Sequence, residues 1–231
     1  MAAEAEKTEK LNIGGVINNF IQKNRKGLLI GLAASVVILI GFAVFVTVND
    51  RLQSRDLSRA EEFQRRYEAL RVDTNSEEPE AAERQEEISA LEAELKAFEG
   101  TSSGHARVMA YAISAGIQGD RKNWAKAENA WVSAAAAAGK SYFAPIALCN
   151  AAASAENQGG NDRAMELYKQ ALGFGDRFPE AARAQFAVGR ILEIQGKRDE
   201  ALETYRTLTG RWPDDALWAN LAQSRILALT K

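Results

Sequence analysis

Cysteine and histidine are almost absent from this sequence, whose 231 residues contain one of each, Cys149 and His105. A single cysteine excludes an intramolecular disulfide. One histidine and one distant cysteine do not make the side-chain set of a metal site or of a Cys–His catalytic pair. We therefore expect no catalytic residue, no metal, no cofactor and no small-molecule substrate. Cys149 is expected to pack as a small apolar side chain.

A large excess of either charge is also missing, since 29 basic and 31 acidic residues give a formal net charge of -2. The charges are unevenly distributed along the chain. Residues 49–100 hold 8 basic and 15 acidic residues, whereas residues 101–231 hold 16 and 13. Because no segment is strongly basic, the sequence predicts no nucleic-acid partner.

What the sequence does contain is a run of 21 residues without a charged side chain, LLIGLAASVVILIGFAVFVTV at 28–48. As a helix this run is roughly 30 Å long, which is the thickness of the hydrocarbon core of a bilayer. A cleavable signal peptide usually has an apolar core of only about 7–15 residues. A buried core helix of this length usually has a polar face. We therefore expect an uncleaved transmembrane helix at 28–48.

Basic residues on the N-terminal side of this segment predict its orientation. Lys23, Arg25 and Lys26 precede it with no acid nearby, so residues 1–27 are expected to be a cytoplasmic tail. The long C-terminal part then lies in a periplasm-like space. The tail also has an apolar stripe that either lies in the membrane interface or belongs to a frayed terminus: Ile13, Val16, Ile17, Phe20 and Ile21.

Residues 49–100 are predicted to form a charged helical hairpin that can dock on the domain that follows. Asn75, Ser76 and Pro79 indicate a helix stop and restart between its two helices. Residues 99–105, which include His105, are expected to be a linker or a tight turn. Each helix has one apolar seam at helical spacing: Ala60, Phe63, Tyr67 and Leu70 in the first, and Ile88, Leu91, Leu95 and Phe98 in the second.

Residues 101–231 contain a pattern that recurs every 37 residues. Ala127, Ala164 and Ala201 are each followed four residues later by an aromatic residue. Gly159 and Gly196, which indicate turns, are also 37 residues apart. Three helix pairs explain the pattern, because a small side chain lets two helices approach and the aromatic ring fills the remaining gap. The aromatic residues, and the residues three positions beyond them, are Trp131, Tyr168, Tyr205, Ala134, Ala171 and Leu208.

This pattern resembles the tetratricopeptide repeat (TPR), a helix–turn–helix unit of about 34 residues. The three copies are residues 106–137, 145–179 and 184–215, and Pro179 and Pro213 end the last two. The first copy matches least well, because Gly116 and Gly119 are expected to interrupt its first helix. A last helix at 215–230 is expected to be a solubilising cap, with one apolar side formed by Leu217, Leu221, Ile226 and Leu229.

The predicted fold class is therefore all-α. A single transmembrane helix is followed by a charged helical hairpin, and then by a TPR-like α-solenoid of three helix pairs with a C-terminal capping helix. Over essentially the whole chain this order resembles the bacterial TPR family of the ancillary SecYEG translocon subunit, from which the acidic hairpin departs. The resemblance implies a single-pass protein of the bacterial inner membrane with a periplasmic domain, acting as a scaffold near the secretory channel or with periplasmic chaperones.

Two alternatives use the same domain differently. A membrane-tethered TPR adaptor could face the cytoplasm, because basic residues flank both ends of residues 28–48. A TPR component of outer-membrane protein assembly is the other alternative. The sequence argues against its lipoprotein form, since no lipid-acceptor cysteine follows a signal segment.

One short segment imitates a nucleotide-binding motif. Residues 134–141, AAAAAGKS, resemble a phosphate-binding loop with Ala134 in place of its first glycine. Alanine favours the helical conformation, so we expect this run to continue the helix that carries Trp131. Gly139 is then expected just past the end of that helix. The sequence predicts no nucleotide site here.

Partner binding is expected on the concave face that the first helices of the pairs form. Arg183 and Arg190 are seven residues apart, which is two helical turns, and Phe186 lies between them. They are suited to an acidic or C-terminal peptide, and the alternative is a pair of solvated arginines over an ordinary packed helix. The full candidate set is Ile146, Cys149, Ala153, Arg183, Phe186 and Arg190.

Overall fold

The structure is a computed structural model that describes residues 18, 20, 22–72, 78–175 and 178–231. Within these residues the chain is helical and contains no strand, which confirms the all-α prediction. The chain divides into two compact units, Met1–Leu52 and Gln53–Lys231. The helices are α1 (Arg25–Val72), α2 (Glu78–Thr101), α3 (Gly104–Asp120), α4 (Trp124–Ala138), α5 (Phe143–Asn157), α6 (Asn161–Leu172), α7 (Ala181–Ile194), α8 (Arg198–Arg211) and α9 (Ala216–Leu229).

Helix α1 is longer than the predicted membrane segment. It continues for 48 residues, because residues 49–72 contain neither glycine nor proline to interrupt it. The boundary predicted at residue 48 is therefore not the end of a helix. Phe20 from the apolar stripe of the tail is helical and exposed. The other members of that stripe lie outside the described residues: Ile13, Val16, Ile17 and Ile21.

The charged hairpin consists of the C-terminal part of α1 together with the whole of α2. Phe63 and Phe98 meet edge to face with their ring centroids 5.4 Å apart. Arg66 donates two hydrogen bonds, each 3.0 Å long, to the two carboxylate oxygens of Glu94. The apolar seams of both helices share one buried cluster with α3, so the hairpin is docked on the domain that follows.

The turn of the hairpin is only partly described. Helix α1 ends at Val72 and α2 begins at Glu78. Asn75 and Ser76, which were expected to stop the first helix, lie outside the described residues. Pro79 is in the first turn of α2, where a proline removes no intrahelical hydrogen bond.

Two expectations about α3 need correction. Of the linker or tight turn expected at 99–105, the structure has a turn of two residues, Ser102 and Ser103, and His105 lies in the first turn of α3. Helix α3 also runs without interruption through Gly116 and Gly119. Gly116 instead permits a close contact, since a Cβ atom added there would lie 2.6 Å from the hydroxyl oxygen of Tyr67.

The three predicted helix pairs are α3 with α4, α5 with α6, and α7 with α8. The alanines that define the 37-residue spacing, Ala127, Ala164 and Ala201, have no exposed surface. Tyr168 and Tyr205 are buried, and Trp131 packs against the same core while remaining partly exposed. Pro179 and Pro213 lie between helices, and Gly159 and Gly196 turn the chain with positive φ angles of 78° and 73°.

The final helix α9 differs from the predicted cap in the face that it buries. Ile226 and Leu229 pack against the core as expected, whereas Leu217 and Leu221 are exposed. Trp218 and Ala222 take the inner positions instead. Because α9 has apolar side chains around most of its circumference, periodicity alone assigned the wrong leucines to the buried side.

Gly189 shows how tightly a pair is packed. A Cβ atom added at this residue would lie 2.6 Å from a carbon of the Tyr205 ring. Tyr205 has no exposed surface, so the ring has no space into which it can move. Close packing of α7 on α8 therefore requires a residue without a side chain at position 189.

We predict that Gly189→Ala destabilises the protein. The clash should cost about 1–3 kcal/mol, which outweighs a gain of about 1 kcal/mol from the higher helix propensity of alanine. The matched control is Gly210→Ala in α8, where an added Cβ atom meets nothing within 4 Å. Urea unfolding of the full chain, monitored by circular dichroism, should give a higher midpoint for Gly210→Ala than for the parent. The midpoint of Gly189→Ala should be lower than that of the parent. Equal midpoints for the two variants would contradict the prediction.

Candidate partner-binding groove

A groove with a cavity volume of about 360 Å³ lies between the last two helix pairs and α9. Helices α5, α6, α7 and α9 contribute its walls. Its lining combines small, aromatic and charged side chains: Ala153, Glu156, Asn157, Tyr168, Arg183, Phe186, Ala187, Arg190 and Trp218.

Phe186 is the aromatic centre of this groove. Its ring centroid is 5.3 Å from that of Tyr205 and 5.4 Å from that of Trp218, and both pairs are tilted. Phe186 is only partly buried, so part of its ring faces the cavity. Aromatic neighbours at these distances hold one another in place, and the groove therefore has a preformed apolar wall.

Glu156 is the centre of the charged side of the groove. The Tyr168 hydroxyl donates a 2.8 Å hydrogen bond to one carboxylate oxygen, and Arg190 forms an ion pair with the other. Arg183 pairs with Glu180 one turn earlier in the chain, at 2.8 Å. Both candidate arginines therefore have acidic partners inside the protein while each keeps a partly exposed side chain.

The same arrangement of tyrosine, acid and arginine occurs in the next pair. The Tyr205 hydroxyl donates a 2.6 Å hydrogen bond to Glu193, which also accepts from Arg225 of α9. Glu156 and Glu193 are 37 residues apart. Each acid joins the second helix of its own pair to the first helix of the next unit, so this contact links neighbouring units.

Burial and hydrogen bonding shift the pKa values of these groups. Desolvation raises the pKa of the Tyr168 and Tyr205 hydroxyls, and the neighbouring carboxylates raise it further. Hydrogen bonds from Arg225 and then from Tyr205 lower the pKa of Glu193 despite partial burial. The tyrosines therefore stay neutral donors at physiological pH, and Glu193 stays ionised.

The structure brings four of the six predicted site residues together in the groove: Ala153, Arg183, Phe186 and Arg190. Ile146 is partly buried and packs against the core. Cys149 has no exposed surface, and burial raises the pKa of its thiol to about 12. Neither residue lines the groove, although both lie on the first helix of the middle pair as expected.

Sequence reasoning missed five groove residues as site residues: Glu156, Asn157, Tyr168, Ala187 and Trp218. The 37-residue distance between Glu156 and Glu193 was an available signal, because the pair follows the period of the alanines. No such periodic spacing indicated Trp218. Its place in the groove depends on how α9 packs on α7.

The remaining motifs of the sequence have structural roles. Residues 124–138 are helical, and Gly139 follows with a φ of 59°, so 134–141 do not form the strand–loop–helix of a phosphate-binding loop. His105 is exposed. Among the described residues, no three His, Cys, Asp or Glu side chains form a group that could hold a metal ion.

We predict that Glu193→Gln destabilises the protein in a pH-dependent manner. The folded state lowers the pKa of Glu193, so its stabilisation is complete above the unfolded-state pKa of about 4.3. It is lost as the pH falls through the lower folded-state pKa. At pH 7 the variant should lose about 1.5–3 kcal/mol, the usual contribution of a hydrogen bond to a charged group.

The measurement is urea unfolding of parent and variant between pH 3 and pH 7. The free-energy difference should decrease below about pH 4, since a protonated Glu193 resembles the glutamine. Glu203→Gln, an exposed position in α8, is the matched control and should change stability by less than about 0.5 kcal/mol at every pH. A Glu193→Gln difference that does not change with pH would contradict the electrostatic explanation.

Comparison with known proteins identifies the family. No protein-family model matches the chain. A curated TPR repeat-containing protein of Treponema pallidum (strain Nichols) is 32% identical over 225 residues, which cover 93% of each chain. The crystal structure of YrrB, a TPR protein with an unusual peptide-binding site, is 15% identical with a TM-score of 0.45, covering 74% of this chain and 89% of that one. With a helix-pair architecture and a relative of this identity over nearly its whole length, the chain belongs to the TPR repeat-containing proteins.

Proposed function

We propose that this protein is a membrane-anchored, non-catalytic scaffold that binds a protein partner through the groove around Phe186. The observation that carries the proposal is the combination of two surfaces. One is a long apolar helical segment that the protein itself does not cover, and the other is a groove with aromatic and arginine side chains. A family built for protein–protein interaction supports the second half of the proposal.

Exposure of the apolar segment supports membrane anchoring. Helix α1 is long and apolar enough to cross a bilayer, and its most apolar part is not buried inside the protein. Val37, for example, is 68% exposed. A core helix of a soluble protein can be equally long and apolar, but neighbouring helices cover it. Lipid is the environment in which side chains at 28–48 lose contact with water.

The groove suits an acidic segment that also carries an apolar side chain. Phe186 and Trp218 provide an apolar wall, while Arg183 and Arg190 provide guanidinium groups. Both arginines remain partly exposed despite their internal ion pairs. A guanidinium group has five N–H donors, so it can bind a second carboxylate beside the first. The proposed ligand is an acidic peptide or a C-terminal carboxylate with a neighbouring apolar residue.

The proposed location is supported by the basic residues that precede the apolar segment. Lys23, Arg25 and Lys26 favour a cytoplasmic N-terminus and a periplasmic repeat domain in the bacterial inner membrane. Resemblance to the translocon-subunit family favours the secretory channel or a periplasmic chaperone as partner. Tethering raises the effective concentration of the groove near partners in the same membrane. A cytoplasm-facing adaptor is the second candidate, because basic residues also follow residues 28–48.

We predict that the full chain is an integral membrane protein whose repeat domain is outside the cytoplasm. After alkaline washing it should remain with the membranes. A Val37→Arg/Ile40→Arg variant should be released, since each arginine at the centre of a transmembrane helix costs about 2.5–3.5 kcal/mol. Tyr142→Arg, which adds a charge at an exposed turn of the repeat domain, is the control and should stay in the membrane fraction.

Protease added to spheroplasts measures the orientation. Digestion of residues 101–231 from outside supports the periplasmic location. Protection of that region in intact spheroplasts, with digestion after lysis, selects the cytoplasm-facing adaptor. Release of the parent chain by alkaline washing would refute membrane anchoring altogether.

We also predict that the groove is the partner-binding surface. A photoreactive side chain at Ala153 or at Arg183, both in the groove, should give discrete adducts in intact cells. Lys169 and Glu203, exposed on the second helices of their pairs, are the control positions. In spheroplasts the yield of these adducts should decrease as the salt concentration rises, since salt screens partly exposed charges. Adducts of equal yield from groove and control positions would argue against this surface.

A further inference from the structure

Helix α9 has two faces with different environments. Its inner face packs against the core through Trp218, Ala222, Ile226 and Leu229. Its outer face carries a straight stripe at positions i, i+4, i+7 and i+11, formed by Leu217, Leu221, Ser224 and Ala228. All four are exposed, and Leu217 and Leu221 are 62% and 40% exposed.

The outer stripe corresponds to a surface that is covered in the preceding pair. Arg225 of α9 pairs with Glu193 as Arg190 of α7 pairs with Glu156, which aligns α9 with α7 at an offset of 35 residues. With this offset Leu221 takes the place of Phe186, and Ser224 takes the place of Gly189. In α7 both of these positions contact Tyr205 of α8. Helix α9 is therefore equivalent to the first helix of a pair, and no described helix covers this face of it.

We propose that a second copy of this chain covers the stripe, with the two α9 helices antiparallel. The stripe has two large side chains in its N-terminal half and two small ones in its C-terminal half. A two-fold axis midway between Leu221 and Ser224 sets Leu221 against Ser224 of the other copy. The same axis sets Leu217 against Ala228. Every large side chain then meets a small one, which is the packing that helix pairs in a close interface require.

Charge favours the same arrangement. Asp214 precedes the stripe and Lys231 follows it, and the antiparallel axis places Asp214 of one copy beside Lys231 of the other. Arg225, at the side of the stripe, is already paired with Glu193. A parallel arrangement sets Leu against Leu, Ser against Ser and like charges against like charges. The antiparallel second copy is the occupant that matches both side-chain size and charge.

The contact is small, so we expect a weak dimer. Two helices of 14 residues bury less than the about 1,600 Å² of a standard protein interface. Cross-linking therefore tests the proposal better than size measurements in dilute solution. Cys149 can be retained because it is fully buried.

The test uses four full-length chains in mild detergent, each with one added cysteine: Leu217→Cys, Leu221→Cys, Ser224→Cys or Ala228→Cys. Two mixtures give matched pairs, in which the antiparallel axis sets the two cysteines opposite each other: Leu221→Cys with Ser224→Cys, and Leu217→Cys with Ala228→Cys. Mixing Leu221→Cys with Ala228→Cys, or Leu217→Cys with Ser224→Cys, gives mismatched pairs from the same four proteins. Disulfides form when Cα atoms are about 4.4–6.8 Å apart, and the mismatched pairs are shifted by about 6 Å along the helix.

Matched pairs should form mixed disulfides about tenfold faster than mismatched pairs, because only they satisfy the distance limit. The parent chain, with Cys149 alone, measures the background. Faster cross-linking of each variant with itself would indicate a parallel dimer and overturn the proposal. Equal rates for matched and mismatched pairs would overturn it as well, since they indicate random collision or another occupant.

A second variant separates dimer formation from folding. Leu221→Lys should abolish the fast cross-linking between Leu217→Cys and Ala228→Cys when both chains carry it, because it places two cations at the axis. Tyr142→Lys, an exposed apolar position in the turn before α5, should leave the rate unchanged. Circular dichroism should show the parent helix content for both variants. Unchanged fast cross-linking in the Leu221→Lys chains would also count against the proposal.

Discussion

The packing of a tyrosine ring against a residue with little or no side chain controls the spacing of helices in this protein. Tyr205 lies against Gly189, and its hydroxyl donates to Glu193. The ring is fully buried, so its polar end needs an acceptor within reach. Glu193 supplies that acceptor and is itself balanced by Arg225. A single contact therefore fixes how close two helices lie and also binds the helix that follows.

The charged hairpin uses the same contact from outside the repeats. Tyr67 of α1 lies over Gly116 of α3 and donates a 2.7 Å hydrogen bond to Asp120, which also pairs with Arg71 at 3.0 Å. Asp120 follows Gly116 by four residues, as Glu193 follows Gly189. Residues 53–72 and 78–101 are thereby packed on α3 as an additional layer. The hairpin consequently belongs to the same compact unit as the repeats.

Periodic features of the fold could be predicted from the sequence, because packing of equivalent helices repeats equivalent residues. Ala127, Ala164 and Ala201 were found in this way, and all three are buried. Contacts that occur only once could not be predicted from the period. Tyr67 and Gly116 are 49 residues apart, and neither belongs to the 37-residue series. The sequence alone therefore predicts an interruption at Gly116, although this glycine is a site of close packing.

The groove was predictable to the extent that it depends on one helix. Arg183, Phe186 and Arg190 share a face of α7 by helical spacing alone, and all three line the cavity. For Cys149 the direction of the side chain depends on where α6 and α7 pack on α5, which a single helical pattern does not contain. Trp218 and the exposed leucines of α9 depend in the same way on the orientation of a helix that is apolar on nearly every side.

Internal ion pairs also influence which ligands the groove can accept. Arg190 is 44% exposed, whereas its partner Glu156 is only 15% exposed and also accepts from Tyr168. Glu156 is therefore the fixed member of the pair, and the guanidinium group is the member that a ligand can reach. A neutral ligand that drew Arg190 away would leave a partly buried carboxylate without its cation, which is costly. A carboxylate ligand can share the arginine without breaking the pair, so the scaffold that holds the helices together also favours acidic partners.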